Sequence, residues 1–301
     1  MKTSKSIMLT TKMAPKLITV TALIFFVFVA GLSQADVTFG VQAPRGNAKA
    51  LKKWSEMGKY LAISIGQPVK IVPLKPNKTV DAVKAGKAQF MLSNPVLAVI
   101  LNKKNGSTPI ATMAKKSGHK FAGVILSKKG SGITNASHLK GKKVMAFKFK
   151  KSAAAYVFQV KHLKDQGIDP HKDFALFKEA NKQDDIVLAV KKGIIDAGFV
   201  KTGLMESMAK EKKISMSDFT IIDQISDDFP LVRSTQLYPS WTVTVAPTVN
   251  ADVIAKIKST LLKLSPSDSA SKKAKIVRFV EPVDLNSLTN TLKELHLPPF
   301  E

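Results

Sequence analysis

An α/β fold of two lobes, each a mixed sheet flanked by helices, is what this sequence predicts, and two observations predict it. Short β-rich runs alternate with longer amphipathic stretches along most of the chain. The pattern of the first half then recurs in the second, after a strand–turn–helix stretch between Ser137 and Pro170. No low-complexity segment or short-period repeat interrupts the alternation.

The elements follow in order. VTFGVQA (Val37 to Ala43) reads as a strand, closed by the Pro44-Arg45-Gly46 turn. Asn47 to Ile65 reads as a helix, with Leu51, Trp54, Met57 and Leu61 at helical spacing. Pro68 to Leu74 is the next strand, Thr79 to Ala85 a helix stopped by Gly86, and Gln89 to Leu92 a strand. Asn94-Pro95 opens another helix, with proline at a permitted early position. Strands are expected at Phe121 to Ser127 and Val144 to Phe149, and Lys150-Lys151 then turns into a helix opening at Ser152. The second half continues with strands at 174–177, 194–200, 219–223 and 241–247. Its helices are expected at 184–192, 203–210, 251–264 and 284–295.

The first 35 residues read as a leader. Lys2, Lys5, Lys12 and Lys16 precede the apolar run Leu17 to Leu32, and Ser33-Gln34-Ala35 supplies small residues for a cut before Asp36. The uncharged stretch is 19 residues long, near the about 20 needed to span a bilayer, so an uncleaved anchor is the alternative. Cleavage leaves 266 residues, enough for one large or two modest cores. The chain has no cysteine, which excludes disulfides, thiol catalysis, thiolate-ligated metals and a lipid-modified cysteine. The net charge is +25, and +21 without the four leader lysines. After export that charge points to an anionic ligand or surface rather than nucleic acid. The lysines are dispersed and aromatics are only 7% of residues, which argues against a base-stacking platform.

No hydrolase, kinase or metalloprotease signature is present, so an enzyme is not expected, nor a metal or other cofactor. The five histidines stand singly, and the adjacent Asp184 and Asp185 point apart on a helix. What remains is a set of polar residues at strand ends and helix starts, where α/β sheets bind ligands. Arg45 can hold an oxyanion bidentately. Ser93 and Asn94 follow the third strand, although Asn94 also suits a helix cap. Lys151 and Ser152 sit where a helix start offers free N–H groups to an anion. Asn181 and Lys182, and Lys201 and Thr202, occupy equivalent positions later on. Tyr156, one turn into its helix, is a secondary candidate whose commoner use is packing.

VTFGVQAPRGNAKALKKW, AVKAGKAQFMLSNPVLAVI, HLKGKKVMAF with GIDPHKDF, and AVKKGIIDAGFVKTG occur in an order and spacing that resemble the phosphonate-type periplasmic substrate-binding proteins of ABC importers. SNP, DAGFVKTG and FPLVRSTQLYPSW look closer to the branch of that family fused to histidine kinases as tetrathionate sensors. The chain ends after the binding fold, so no attached kinase is expected. The resemblance implies a type II two-lobe binding protein, with residues 36–125 and 240–301 in one lobe and 126–239 in the other. Two crossing segments would form a hinge that closes on ligand. A periplasmic monomer is implied, with a small anionic ligand and an ABC permease or a sensor kinase as partners. Phosphonate binders open the helix after GKKVMAF with Ser-Thr-Ser-Gly. Here Ser152 keeps the first serine, and Ala153, Ala154 and Ala155 replace the rest. The family's histidine falls near Asn181 or Lys182, and its amine-pairing acid near Lys201. Losing hydroxyls and gaining a cation favours a purely anionic phosphorus or sulfur oxyanion over an aminophosphonate.

Overall fold

The computed structural model describes residues 36–301 and Thr3. Apart from Thr3, the leader expected over residues 1–35 lies outside the described residues.

The chain begins with β1 (Val37–Gln42), α1 (Asn47–Ile65), β2 (Val69–Leu74), α2 (Thr79–Lys84), β3 (Phe90–Ser93), α3 (Pro95–Asn105) and β4 (Thr108–Ala114). A short β5 (Lys120–Phe121) leads into β6 (Gly123–Lys128) and β7 (Lys143–Phe147). A π-helical turn (Ala153–Val157), α4 (Phe158–Lys164) and α5 (Pro170–Asp173) follow. Next come β8 (Leu176–Ala180), α6 (Gln183–Lys191), β9 (Ala197–Lys201), α7 (Leu204–Lys210) and β10 (Phe219–Ile221). The chain returns through β11 (Tyr238–Pro239) and β12 (Thr242–Val245), then α8 (Ala251–Lys263), α9 (Ser269–Ala274), β13 (Arg278–Val280) and α10 (Asn286–Glu294).

Two mixed sheets organise these elements. A six-stranded sheet runs β13-β4-β12-β3-β1-β2, and a five-stranded sheet runs β10-β6-β9-β7-β8. β1 is parallel to β2 and β3, and β7 is parallel to β8 and β9. Parallel strands have their C-terminal ends on one side, so the loops after β1, β3, β7 and β9 can converge. β5 and β11 pair with each other as a separate two-stranded ribbon where the chain crosses between the sheets. Phe158 anchors that ribbon, stacked on Tyr238 at 4.0 Å and edge-on to Phe121 at 5.3 Å.

Local chemistry explains most boundaries. α1 buries Ala50, Trp54, Met57, Leu61 and Ile65 and stops at Gly66, whose φ of 73° suits a residue without Cβ. Its inward stripe therefore begins at Ala50, not Leu51, which is 44% exposed. Asn94 caps α3 by accepting from Val96 N and Leu97 N, and Pro95 fills the first helical position. The strand expected to reach Phe149 ends at Phe147, because Lys148 (φ 45°) and Lys150 (φ 63°) turn left-handed. One core lies beneath the six-stranded sheet around Phe39, Phe90 and Trp54. Another runs continuously from α3 (Val96–Ile100) through the π-helical turn to Leu288 and Leu292 of α10. Helices α3 and α10 thus share one apolar core with β6, β7 and β9 of the five-stranded sheet. No helix among the described residues is long and apolar enough to cross a membrane.

Candidate functional site

The loops at the C-terminal ends of β1, β3, β7 and β9 border a cleft with two chambers. The inner chamber, about 70 Å³, is lined by Gln42, Asn94, Lys151, Ser152, Gln183 and Lys201, with Trp241 and Phe121 closing it. It holds a few water-sized objects, the scale of one small oxyanion. The outer chamber, about 440 Å³, lies between the turn after β1, the Lys75–Asn77 loop and the Lys148–Lys151 turn. Pro44, Pro76, Phe147, Lys148 and Lys151 face both chambers.

Asn94 is the best-anchored residue of the site. Its Oδ1 accepts from the α3 amides, and its Nδ2 donates to Gln42 Oε1 at 3.1 Å and to the Lys151 carbonyl at 3.2 Å. Gln42 Oε1 also accepts from Asn94 N at 2.8 Å. Both ends of this amide are occupied, so Asn94 positions the Lys151–Ser152 turn against β1 and has little left to offer a ligand. Ser152 is nearly buried, lines the inner chamber and makes no capping hydrogen bond. The ordinary helix start expected there is absent. Ala154 and Ala155 leave helical backbone angles, and Val157 N reaches back five residues to Ser152 O at 3.0 Å. A π turn of this kind scatters the first-turn N–H groups instead of aligning them on an anion, so the cations carry the electrostatics.

The strongest electrostatic feature is Lys201, at the C-terminal end of β9. Its pKa is pushed down to about 7, first by burial and then by the positive charges of Lys115, Lys53 and Arg45, with only Glu206 opposing. Lys53 is lowered to about 8 by burial and by Lys115, Lys275 and Arg45. Burial also lowers Lys115, even though its residue surface is accessible. Cations from β1's turn, α1, the loop after β4 and β9 therefore crowd one region with few carboxylates among them. A bound anion relieves that repulsion.

Arg45 donates through Nη2 to Asp184 Oδ2 at 2.5 Å, joining the turn after β1 to the first turn of α6. The pair is open to solvent on the arginine side, 55% exposed, so its contribution to stability is small, under about 1 kcal/mol. Asp184 also competes with an incoming anion for the guanidinium. Asp184→Asn is expected to raise oxyanion affinity several-fold while shifting the melting temperature little. Isothermal titration and a thermal melt on the same variant check this.

Of the residues singled out from sequence, Asn94, Lys151, Ser152 and Lys201 meet at the inner chamber. Arg45 stands beside it in its pair with Asp184. Asn181 is exposed and accepts from Lys148 Nζ at 3.2 Å, while Lys148 also pairs with Glu179. The remaining four do not line either chamber. Ser93 is fully buried and its Oγ has no partner. Tyr156 is buried in an aromatic stack with Phe149 and Phe177. Its hydroxyl bonds His171 Nε2 at 2.7 Å, and burial pushes its pKa up to about 12. Lys182 points into solvent, and Thr202 Oγ1 accepts from Ala122 N at 3.3 Å, tying β9 to the crossing strand. Sequence reasoning missed Gln42, Gln183, Lys53, Lys115, Lys148 and Trp241. Gln183 Oε1 accepts from Lys201 N at 3.0 Å and so fixes the strand end that carries the key lysine.

Two mixed sheets, a paired crossing ribbon and a polar cleft at the strand ends define a type II periplasmic binding protein fold. The chain belongs to the family of ABC-transporter phosphonate periplasmic substrate-binding proteins, whose model matches residues 39–286. It is 30% identical over 217 residues to the tetrathionate sensor histidine kinase of Salmonella typhimurium, covering 70% of this chain and 36% of that kinase's length. The chain thus spans about a third of that relative. Its fold is similar to PhnD1 of Prochlorococcus marinus in complex with methylphosphonate, with a TM-score of 0.71 at 14% identity over 87% of this chain and 98% of that one. It is also similar to a binding-protein component of a phosphonate ABC transporter from Pseudomonas aeruginosa, with a TM-score of 0.69, 15% identity, and coverage of 87% and 86%. The family is periplasmic and its members bind substrates for transport.

Proposed function

We propose that this chain captures a small oxyanion between two lobes in the periplasm and presents it to the permease of an ABC importer. The observation that carries the reading is the convergence of Lys201, Lys151 and Arg45, with Lys53 and Lys115 behind them, on a chamber sized for one small oxyanion. Lys201 and Lys151 supply charge, Ser152 a free hydroxyl and Gln183 an orienting amide. Asn94 holds the Lys151 carbonyl so that this turn faces the cleft. Closing the cleft removes water, which strengthens each charge-assisted hydrogen bond. Phosphonate, phosphite, phosphate and sulfur oxyanions fit this chemistry. A cationic amine does not, because Lys201 stands where the family resemblance puts an acid. Binding without turnover is the activity expected of such a site.

The lobes comprise residues 36–125 with 240–301, and 126–239. The ribbon of Lys120–Phe121 with Tyr238–Pro239 supports a hinge at the two crossings. The chain is expected to act as a monomer after removal of residues 1–35, an uncleaved leader being the alternative.

A second reading is favoured by the similarity to the sensor kinase. Here the same closed, liganded form signals to a histidine kinase instead of delivering cargo. Both readings share the binding step, which titration calorimetry tests with phosphate, phosphite, methylphosphonate, sulfate, thiosulfate and tetrathionate. Saturable binding of at least one of these is expected, and no binding at millimolar concentration removes both readings. Pull-down from membranes with the liganded protein separates permease from kinase.

A further inference from the structure

Lys201 lines the inner chamber from the C-terminal end of β9, and its amine has no hydrogen-bond or ion-pair partner among the described residues. The charges that face it come from several other elements. Arg45 in the turn after β1, Lys53 on α1 and Lys115 after β4 repel its proton, and only Glu206 on α7 favours it. Lys151, from the turn after β7, lines the same chamber. Glu206 is no counter-ion to Lys201. Its Oε1 accepts from Val232 N at 3.1 Å, and its Oε2 is buried with no partner. Burial and the surrounding cations hold Lys201 at a pKa of about 7, so a large share of its amine carries a free lone pair at neutral pH. An ordinary lysine offers on the order of one free amine in a thousand there.

An ammonium without a counter-ion among cations is relieved by losing its proton, by taking a free anion, or by becoming an anion itself. We propose that Lys201 is a carbamate-forming site: its amine takes up carbon dioxide as an N-carboxylate that sits in the inner chamber and neutralises the cations facing it. The Nζ lone pair attacks the carbon of CO2 and forms the N–C bond, while one C=O electron pair moves onto oxygen. One N–H proton leaves to water, so the step needs no other reactant. A carbonyl compound would instead leave a neutral or cationic imine, and the repulsion would persist. The added carboxylate is small enough for a chamber of about 70 Å³. Donors for its two oxygens are at hand in Lys151, in the Ser152 hydroxyl, which makes no cap bond, and in the Gln183 side-chain N–H groups. The carbamate and a free oxyanion therefore exclude one another. The reaction needs only Lys201 and its cations, and goes beyond oxyanion capture without depending on it.

The test equilibrates the protein with 13C-labelled CO2 and bicarbonate at about pH 7.5, traps carbamates as ethyl esters with triethyloxonium ion, and locates them by peptide mass spectrometry. The Lys201 peptide is expected to carry the adduct at a yield about tenfold or more above that of any other lysine. Lys53→Met, which withdraws one facing cation, is expected to lower that yield several-fold, and a thermal melt confirms that the variant is folded. Where an oxyanion binds, saturating it is expected to suppress the adduct. No adduct at Lys201, labelling spread evenly over the lysines, or a 13C signal from non-covalent bicarbonate alone overturns the inference and leaves oxyanion capture intact. A yield unchanged in Lys53→Met, or undiminished by saturating oxyanion, also overturns it. Labelling at Lys201 in a protein that binds no oxyanion at millimolar concentration supports the carbamate and removes the oxyanion reading.

Discussion

Replacing Lys201 with Met is expected to weaken oxyanion binding about a hundredfold and, in the same protein, to raise the melting temperature of the ligand-free form. The loss follows from removing a partly dehydrated cation whose hydrogen bond to an anion is worth about 1.5–3 kcal/mol. The gain follows from the state of Lys201 without ligand, held near a pKa of about 7 by burial and by Lys115, Lys53 and Arg45. Methionine keeps the stem and removes the repelled charge. A residue that only filled space would change binding and stability in the same direction; calorimetry and a melt on one sample distinguish the two. Equal or lower stability with unchanged affinity would remove Lys201 from the site.

The same lysine sets two opposed pH dependences. In the folded, empty protein it loses its proton near pH 7, whereas in the unfolded chain it keeps it to about 10.5. Between those values the unfolded state binds more protons, so this group makes stability rise with pH across that window and contributes no slope below it. Lys53, lowered to about 8, acts in the same sense over a narrower range. Binding runs the other way. An anion raises the pKa of Lys201, so capture takes up a proton, and affinity falls as pH climbs above 7, by up to about tenfold per pH unit. Sulfate or tetrathionate shows this cleanly because neither titrates between pH 6 and 9, and an affinity flat over that range contradicts it.

The second large effect is structural. Gln159→Leu is expected to destabilise the fold by about 2–3 kcal/mol, lowering the melting temperature by roughly 5–10 °C. Gln159 is fully buried, and its Nε2 lies 2.9 Å from Val200 O, 3.0 Å from Ala154 O and 3.3 Å from Val124 O. One amide thus ties the π-helical turn to both β6 and β9, one residue away from Lys201. Leucine matches its size and removes both amide N–H donors that these three carbonyls share. Gly123 belongs to the same arrangement, because a Cβ there would meet the Gln159 amide at 2.5 Å. A denaturant melt of Gln159→Leu within about 0.5 kcal/mol of wild type would show that the amide is dispensable.

These same residues explain which parts of the protein could be read from sequence. α1 was foreseen from Asn47 to Ile65 because its apolar spacing and Gly66 are local signals, though only packing shows that Ala50 and not Leu51 faces inward. Asn94-Pro95 and the end of β9 were visible for the same reason, and they delivered Asn94 and Lys201. The π turn was not visible: three alanines favour a plain helix, and the departure accompanies an amide five residues on that reaches strands elsewhere in the chain. Nor could spacing expose Arg45 pairing with Asp184 across 139 positions. Lys53 reads as any surface helix lysine, and Lys115 lies in a stretch whose residues signal no element. β4 and the short strands β5, β11 and β13 owe their existence to partners distant in sequence, so their own residues carry weak signals.

Oxyanion capture coupled to Lys201 is tested most directly by titration calorimetry at pH 8 in two buffers of different ionisation enthalpy. Wild-type protein should bind one oxyanion per chain saturably and take up about one proton or more, and Lys201→Met should bind weakly and take up clearly fewer. Absence of saturable heat for every oxyanion at millimolar concentration, or tight binding with no proton uptake, would contradict it.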